Sequence, residues 1–156
     1  MEDHPDAVAT AARHVALVSR PLIRKEPRIV RSAPRRDLQV ASIPRTNVLV
    51  VGNCEATRIV VDMLRLDLRG PVVRWRAGQP LDLPSPAQAA TLVLENVTRL
   101  TTDEQFRVLR WLDDVKGKIR VVSTTSDALW PRVQVGVFNE VLYYRLNTVF
   151  VDMGKT

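Results

Sequence analysis

The residues able to do chemistry stand in two short segments, each at the end of an apolar run. GNCEATRI (52–59) follows the run NVLVV, and its spacing matches the phosphate-binding pattern G-x-x-x-x-G-K-[ST] counted from Gly52. That pattern uses glycines so that backbone amides can approach phosphate, a lysine to neutralise it and a hydroxyl to ligate magnesium. Here Thr57 stands in place of the second glycine, Arg58 in place of the lysine and Ile59 in place of the hydroxyl. Glu55 adds a carboxylate. At ~4 Å from a phosphate charge, with an effective dielectric of ~20, its repulsion is about 4 kcal/mol, so a loop that holds Glu55 inward repels ATP. The second segment, TLVLENV (91–97), ends in Glu95-Asn96, where a nucleotide hydrolase carries Asp-Glu. Glu95 is able to serve a metal through water, or to be simply a polar residue at a strand end. Asn96 orients a water but does not accept its proton at neutral pH.

Cys54 invites a thiol-nucleophile reading, because a helix N-terminus favours the thiolate. It lacks a partner base, since the only histidines are His4 and His14. A plain loop cysteine is the simpler reading. As the single cysteine it also excludes an intramolecular disulfide and a multi-cysteine zinc site. A phosphoacceptor domain needs paired acids after its first strand, and Gly52-Asn53 stands there instead.

The elements that must position these residues follow from the hydrophobic pattern. Apolar, β-branched runs at 47–51, 71–75, 91–94, 119–124 and 148–152 read as buried strands. Between the first two, Ile59, Val60, Met63 and Leu64 repeat as a helix face. Thr101 and Thr102, each followed three residues later by Glu104 or Gln105, give two overlapping capping boxes for a helix whose buried face is Phe106, Leu109 and Leu112. Gly117 is placed to cap its end. A further helix is expected near 138–146, and the Pro-, Gly- and Ala-rich stretch 77–90 reads as a loop. Strands alternating with helices imply an α/β fold with a parallel sheet of about five strands covered on both faces. Ligands in such sheets bind outside the carboxyl ends of the strands, so segments 52–58, 95–97 and 124–127 should converge.

Length and charge set the frame. With 156 residues the chain holds one domain. Its net charge is +6, and residues 1–46 account for +4 of it, with nine Lys or Arg against five Asp or Glu, five of the ten prolines and none of the six glycines. We therefore read 1–46 as a basic tail, with a short amphipathic helix at 6–19 and a linker at 20–46, and 47–156 as the domain. Arg35 and Arg36 could hold phosphates, although no aromatic residue stands among them to stack on bases. No apolar stretch is long enough to span a bilayer, and the acidic start MEDHPD differs from a basic leader. The expectation is a cytoplasmic protein with no membrane partner.

The most specific stretch is GVFNEVLYYRLNTVFV (136–151). It resembles the signature G-x-F-R-x-D-L-Y-Y-R-L-N-V of the AAA+ central domain of sigma-54-dependent transcriptional activators. In register upstream, TLVLENVTRLTTDEQFRVLRWLDD (91–114) is similar to that family's Walker B strand and following helix, IRVVSTTSDAL (119–129) to its sensor I strand, and GNCEATRIVVDML (52–64) falls at its Walker A position. The resemblance implies a three-layer P-loop NTPase-like fold, with ATP and magnesium as the family's cofactors. Under that alignment the Walker A lysine is Arg58, the magnesium hydroxyl is Ile59, the Walker B pair is Glu95-Asn96, and Ser126 follows Thr125 where the family has its sensor asparagine. The signature's first arginine, which in the family reaches the neighbouring subunit's nucleotide, is Asn139, and the second is retained as Arg145. Residues 76–90 have neither the length nor the sequence of the family's sigma-binding loop. The sequence ends at Thr156, before a helical lid or a helix-turn-helix domain.

Together the departures imply a degenerate ATPase that acts in transcriptional regulation by protein contact. Arg145 and its helix would form a face toward intact AAA+ activators or a second copy; the alternative is that the signature persists only as core packing, through Leu142, Tyr143 and Leu146. Two other readings stand beside it. One is a weak ATPase in which Arg58 and Glu95 keep residual function. The other is a nucleic-acid-binding protein working through residues 20–46, with salt-sensitive affinity.

Overall fold

A computed structural model of the chain describes residues 46–65, 70–88 and 90–154. The expected tail helix at 6–19, and the linker apart from Thr46, lie outside the described residues. All five expected strands form, at β1 (Val48–Val51), β2 (Val72–Arg76), β3 (Thr91–Glu95), β4 (Arg120–Thr125) and β5 (Val149–Asp152). They make one sheet in the order β2-β3-β4-β1-β5, and every pairing is parallel. The helices are α1 (Cys54–Arg65), α2 (Thr102–Val115), α3 (Trp130–Gln134) and α4 (Glu140–Leu146), with a 3-10 turn at Val97–Arg99 after β3. The short α3 and the 3-10 turn were not legible, because neither is long enough to show a period.

Strand alternation divides the core in two. On one face Leu49, Leu92, Leu94, Val121 and Trp75 pack with Val108, Trp111 and Leu112 of α2 and with Leu142, Tyr143 and Leu146 of α4. On the other, Val48, Val50, Val93, Val122 and Val151 pack with Val60, Val61 and Leu64 of α1. The result is the three-layer α/β arrangement expected.

Two helix faces differ from expectation. In α1 the buried residues are Thr57, Val60, Val61 and Leu64, at i, i+3, i+4 and i+7. Ile59 is 49% exposed and Met63 is 51% exposed. In α2 the buried line runs through Gln105, Val108, Trp111, Leu112 and Val115. Phe106 is 51% exposed, and Leu109 is only half-buried against the core. Trp111 explains the rotation, since its indole is buried and its Nε1 donates to the Pro84 carbonyl at 2.7 Å, pinning the 77–90 loop to the helix.

Of the two overlapping boxes, Thr101 with Glu104 is the one formed, with Thr101 N donating to Glu104 Oε2 at 2.8 Å and Glu104 N to Thr101 Oγ1 at 3.3 Å. The C-cap of α2 is Lys116 in the left-handed region, followed by Gly117 with φ 73°. Gln105 is thereby free for a longer-range task. Its buried amide donates to the carbonyls of Leu100 (3.1 Å) and Val137 (3.2 Å), and its Oε1 accepts from Asn139 N at 2.7 Å. This fixes the chain entering α4. Replacing Gln105 with Leu removes three bonds and leaves the backbone groups of Leu100, Val137 and Asn139 without that partner, so we expect a loss of about 2–4 kcal/mol in urea denaturation. Thr102→Ala, beside the cap that is not used, should change stability by less than about 0.5 kcal/mol.

Candidate functional site

The three segments expected to converge do so at the carboxyl ends of the strands. They border a cleft of about 230 Å³. Gly52, Cys54, Thr57 and Arg58 line it from the start of α1, Glu95 and Asn96 from the end of β3, and Thr124, Thr125 and Ser126 from the end of β4. Val61, Arg74 and Arg76 complete the wall.

The connection between β1 and α1 is short. Only Gly52 and Asn53 separate the strand from a helix that begins at Cys54. Asn53 is an N-cap: its Oδ1 accepts from Ala56 N at 2.8 Å, and its carbonyl accepts from Thr57 N at 3.0 Å. Thr57 Oγ1 donates back to the Cys54 carbonyl at 3.1 Å. Residues 54–58, expected as loop, are therefore the first turn of the helix.

Helical geometry also settles which side chains reach the cleft. Residues 54, 57, 58 and 61 share its side, whereas Glu55 and Ile59, four apart, lie on another and do not line the cleft. Glu55 is exposed, so the inward carboxylate and its repulsion are not realised. Gly52 has a structural reason of its own. A Cβ there would sit 2.9 Å from Met153 Cβ, and Met153 is held close by its N–H donating to the Val51 carbonyl at 2.8 Å.

Glu95 is engaged on both carboxylate oxygens. Arg74 Nη1 donates to Oε1 at 3.3 Å, and Arg76 Nε donates to Oε2. Arg74 Nη2 also lies 3.8 Å from Asp62 of α1. Alternation along β2 sends Arg74 and Arg76 to one face and Trp75 to the other, and the register sets Arg76 opposite Glu95. The sequence alone does not single out these two arginines; V-V-R-W-R before T-L-V-L-E carries the signal only once the pairing of the strands is known.

Asn96, Thr125 and Ser126 are occupied locally. Asn96 adopts a left-handed conformation (φ 56°), its Oδ1 accepts from Thr98 Oγ1 at 2.6 Å, and its N–H donates to Thr124 Oγ1 at 3.2 Å. Thr125 Oγ1 donates to the Asp127 carbonyl at 2.8 Å and accepts from Asp127 N at 3.2 Å. Ser126 Oγ donates to Asp127 Oδ2 at 3.1 Å. Arg58 lines the cleft and has no hydrogen-bond or ion-pair partner among the described residues. No three His, Cys, Asp or Glu side chains among the described residues are grouped to hold a metal.

Asn139 and Arg145 lie apart from the cleft. Asn139 caps α4, its Oδ1 accepting from Leu142 N at 2.9 Å. Arg145 pairs with Asp113 of α2 at 2.7 Å, and its carbonyl accepts from Asn47 Nδ2 at 2.9 Å.

The all-parallel sheet in the order β2-β3-β4-β1-β5, with helices on both faces and a cleft at the carboxyl strand ends, has the fold of the P-loop NTPase domains it superposes on. Residues 31–155 match the family model of the sigma-54 interaction domain, and the chain belongs to that family. The DNA-binding transcriptional regulator NtrC of Escherichia coli K12 is 35% identical over an alignment of 78 positions, covering 43% of this chain and 17% of NtrC. NtrC of Rhizobium meliloti is 32% identical over 74 positions, covering 40% of this chain and 15% of that protein. The chain thus spans less than a fifth of these relatives. Among solved structures, NtrX from Brucella abortus in complex with ATP superposes with a TM-score of 0.63 at 20% identity, over 76% of this chain and 35% of NtrX. The P-loop NTPase domain of a sigma-54 activator from E. coli gives 0.55 at 18% identity, over 76% of this chain and 89% of that domain. No described helix is long and apolar enough to cross a membrane.

Gly52→Ala should cost about 1–3 kcal/mol in nucleotide-free protein, because its Cβ overpacks against Met153. Urea denaturation of the two proteins checks this. An unchanged midpoint would return the glycine to a purely ligand-directed role.

Proposed function

We propose that this sigma-54 interaction domain acts in transcriptional regulation as a non-hydrolysing module that works by protein contact. The observation that carries the reading is the direct entry of β1 into α1. The amides of Ala56 and Thr57 are bonded to Asn53, where a phosphate cradle needs them open. The donor set for magnesium fits poorly as well. Ile59 offers no hydroxyl and lies off the cleft, and Glu95 is held by two arginines. Asn96, engaged with Thr98, does not act as a general base.

Contact with another protein is supported by α4. Its inner residues Leu142, Tyr143 and Leu146 are core, while Val141 and Tyr144 stand about half-exposed on its outer side and Arg145 is partly exposed beside them. Intact family members or a second copy of the chain are the partners this reading names.

The test has two arms. Steady-state phosphate release from magnesium-ATP should stay at the rate of buffer alone, with Glu95→Ala indistinguishable from the parent. Turnover that Glu95→Ala abolishes would instead establish a weak ATPase. In sedimentation with an intact family member, a complex should form that the Val141→Asp, Tyr144→Asp pair weakens at least tenfold and that Arg110→Ala leaves intact. Failure of the chain to associate with itself or with such a partner would remove the contact reading.

A further inference from the structure

The cleft that fits magnesium poorly is well suited to a different occupant. We propose that it holds a small phosphate-bearing anion, inorganic phosphate or a phosphomonoester, without a metal ion. The inference rests on the reading of the cleft as non-hydrolysing and adds the ligand class.

Charge is the first ground. Arg58, Arg74 and Arg76 line the cleft, and with Glu95 on Arg74 and Arg76 and Asp62 against Arg74 from α1 the wall stays net positive and attracts an anion. Availability is the second. Arg58 has no partner among the described residues. Arg76, with its side chain 65% exposed, bonds Glu95 through Nε and leaves both Nη groups uncommitted among the described residues. A planar guanidinium presents paired donors that match phosphate oxygens, and its fixed charge supplies the neutralisation that magnesium otherwise provides.

Size and wall chemistry select the class of anion. The cleft of about 230 Å³ is smaller than the roughly 300 Å³ at which pockets for larger organic ligands begin. No aromatic side chain among the described residues lines it, so a nucleobase finds no ring there to stack on. A phosphate group with little attached to it fits both limits.

Glu95 gives the proposal a sign that separates it from metal chemistry. As an internal anion on Arg74 and Arg76, it competes with the ligand, so removing its charge must strengthen binding. If Glu95 were a metal ligand for a nucleotide, the same change would weaken binding.

The experiment is calorimetric titration of the full chain with inorganic phosphate and, separately, glycerol 3-phosphate, in EDTA at constant ionic strength set with chloride. We expect saturable binding of one anion per chain. Arg58→Ala and Arg76→Ala should each weaken it about tenfold or more, Glu95→Gln should strengthen it severalfold, and Arg110→Ala, outside the cleft on α2, should leave it unchanged. Tighter binding of glycerol 3-phosphate than of phosphate would identify the phosphomonoester as the source. Absence of saturable binding of either probe to both the parent and Glu95→Gln would overturn the proposal, as would equal weakening by Arg58→Ala and Arg110→Ala. Magnesium-dependent ATP binding lost in Glu95→Gln would overturn the non-hydrolysing reading itself.

Discussion

Two residues, Gly52 and Asn53, carry the chain from an inner strand of the sheet into its first helix, and the arrangement of the cleft depends on how they do it. Met153 packs so close to Gly52 that no Cβ fits, which draws the end of β5 against the turn. Asn53 then starts the helix at once by accepting from Ala56 and Thr57. A helix that begins so early directs positions 54, 57, 58 and 61 to the cleft and turns 55 and 59 away. One capping interaction thus decides which side chains face the ligand space and which amides are open.

The electrostatics follow from a second constraint, the parallel register of β2 on β3. It sets Arg76 beside Glu95, and the two-residue period brings Arg74 to the same face. The acidic residue at the end of β3 is consequently closed into a network with β2 and, through Arg74, with Asp62 of α1. Exposed pairs of this kind contribute little to stability, about 0–1 kcal/mol each. Their consequence is chemical: among the described residues, the one carboxylate lining the cleft is already paired with arginines, and Arg58, also in the lining, has no partner.

Much of this architecture was legible in the sequence. The five strands are short, apolar and β-branched, and their ends named the three segments that meet at the cleft. The signature at 136–151 was also informative, and the structure gives it a physical basis. Leu142, Tyr143 and Leu146 are buried, Asn139 caps the helix, and Gln105 holds the approach to it. What was not legible depended on tertiary context. The faces of α1 and α2 were misplaced because Ile59, Met63 and Phe106 are apolar yet exposed, whereas Thr57 and Gln105 are polar yet buried. The helical start at Cys54 is hidden in the sequence because motif spacing carries no information about where a helix begins. Arg74 and Arg76 carry no local signal, because their significance lies in strand pairing.

The central claim is that Ala56 and Thr57 are already committed to the helix cap and do not serve a nucleotide. Native-state amide exchange at these two residues, read by nuclear magnetic resonance with and without magnesium-ATP, tests it most directly. The account predicts protection of both amides in nucleotide-free protein and no change when magnesium-ATP is added. Rapid exchange in the free protein, with strong protection on adding magnesium-ATP, would contradict it and show that these amides are held open for phosphate.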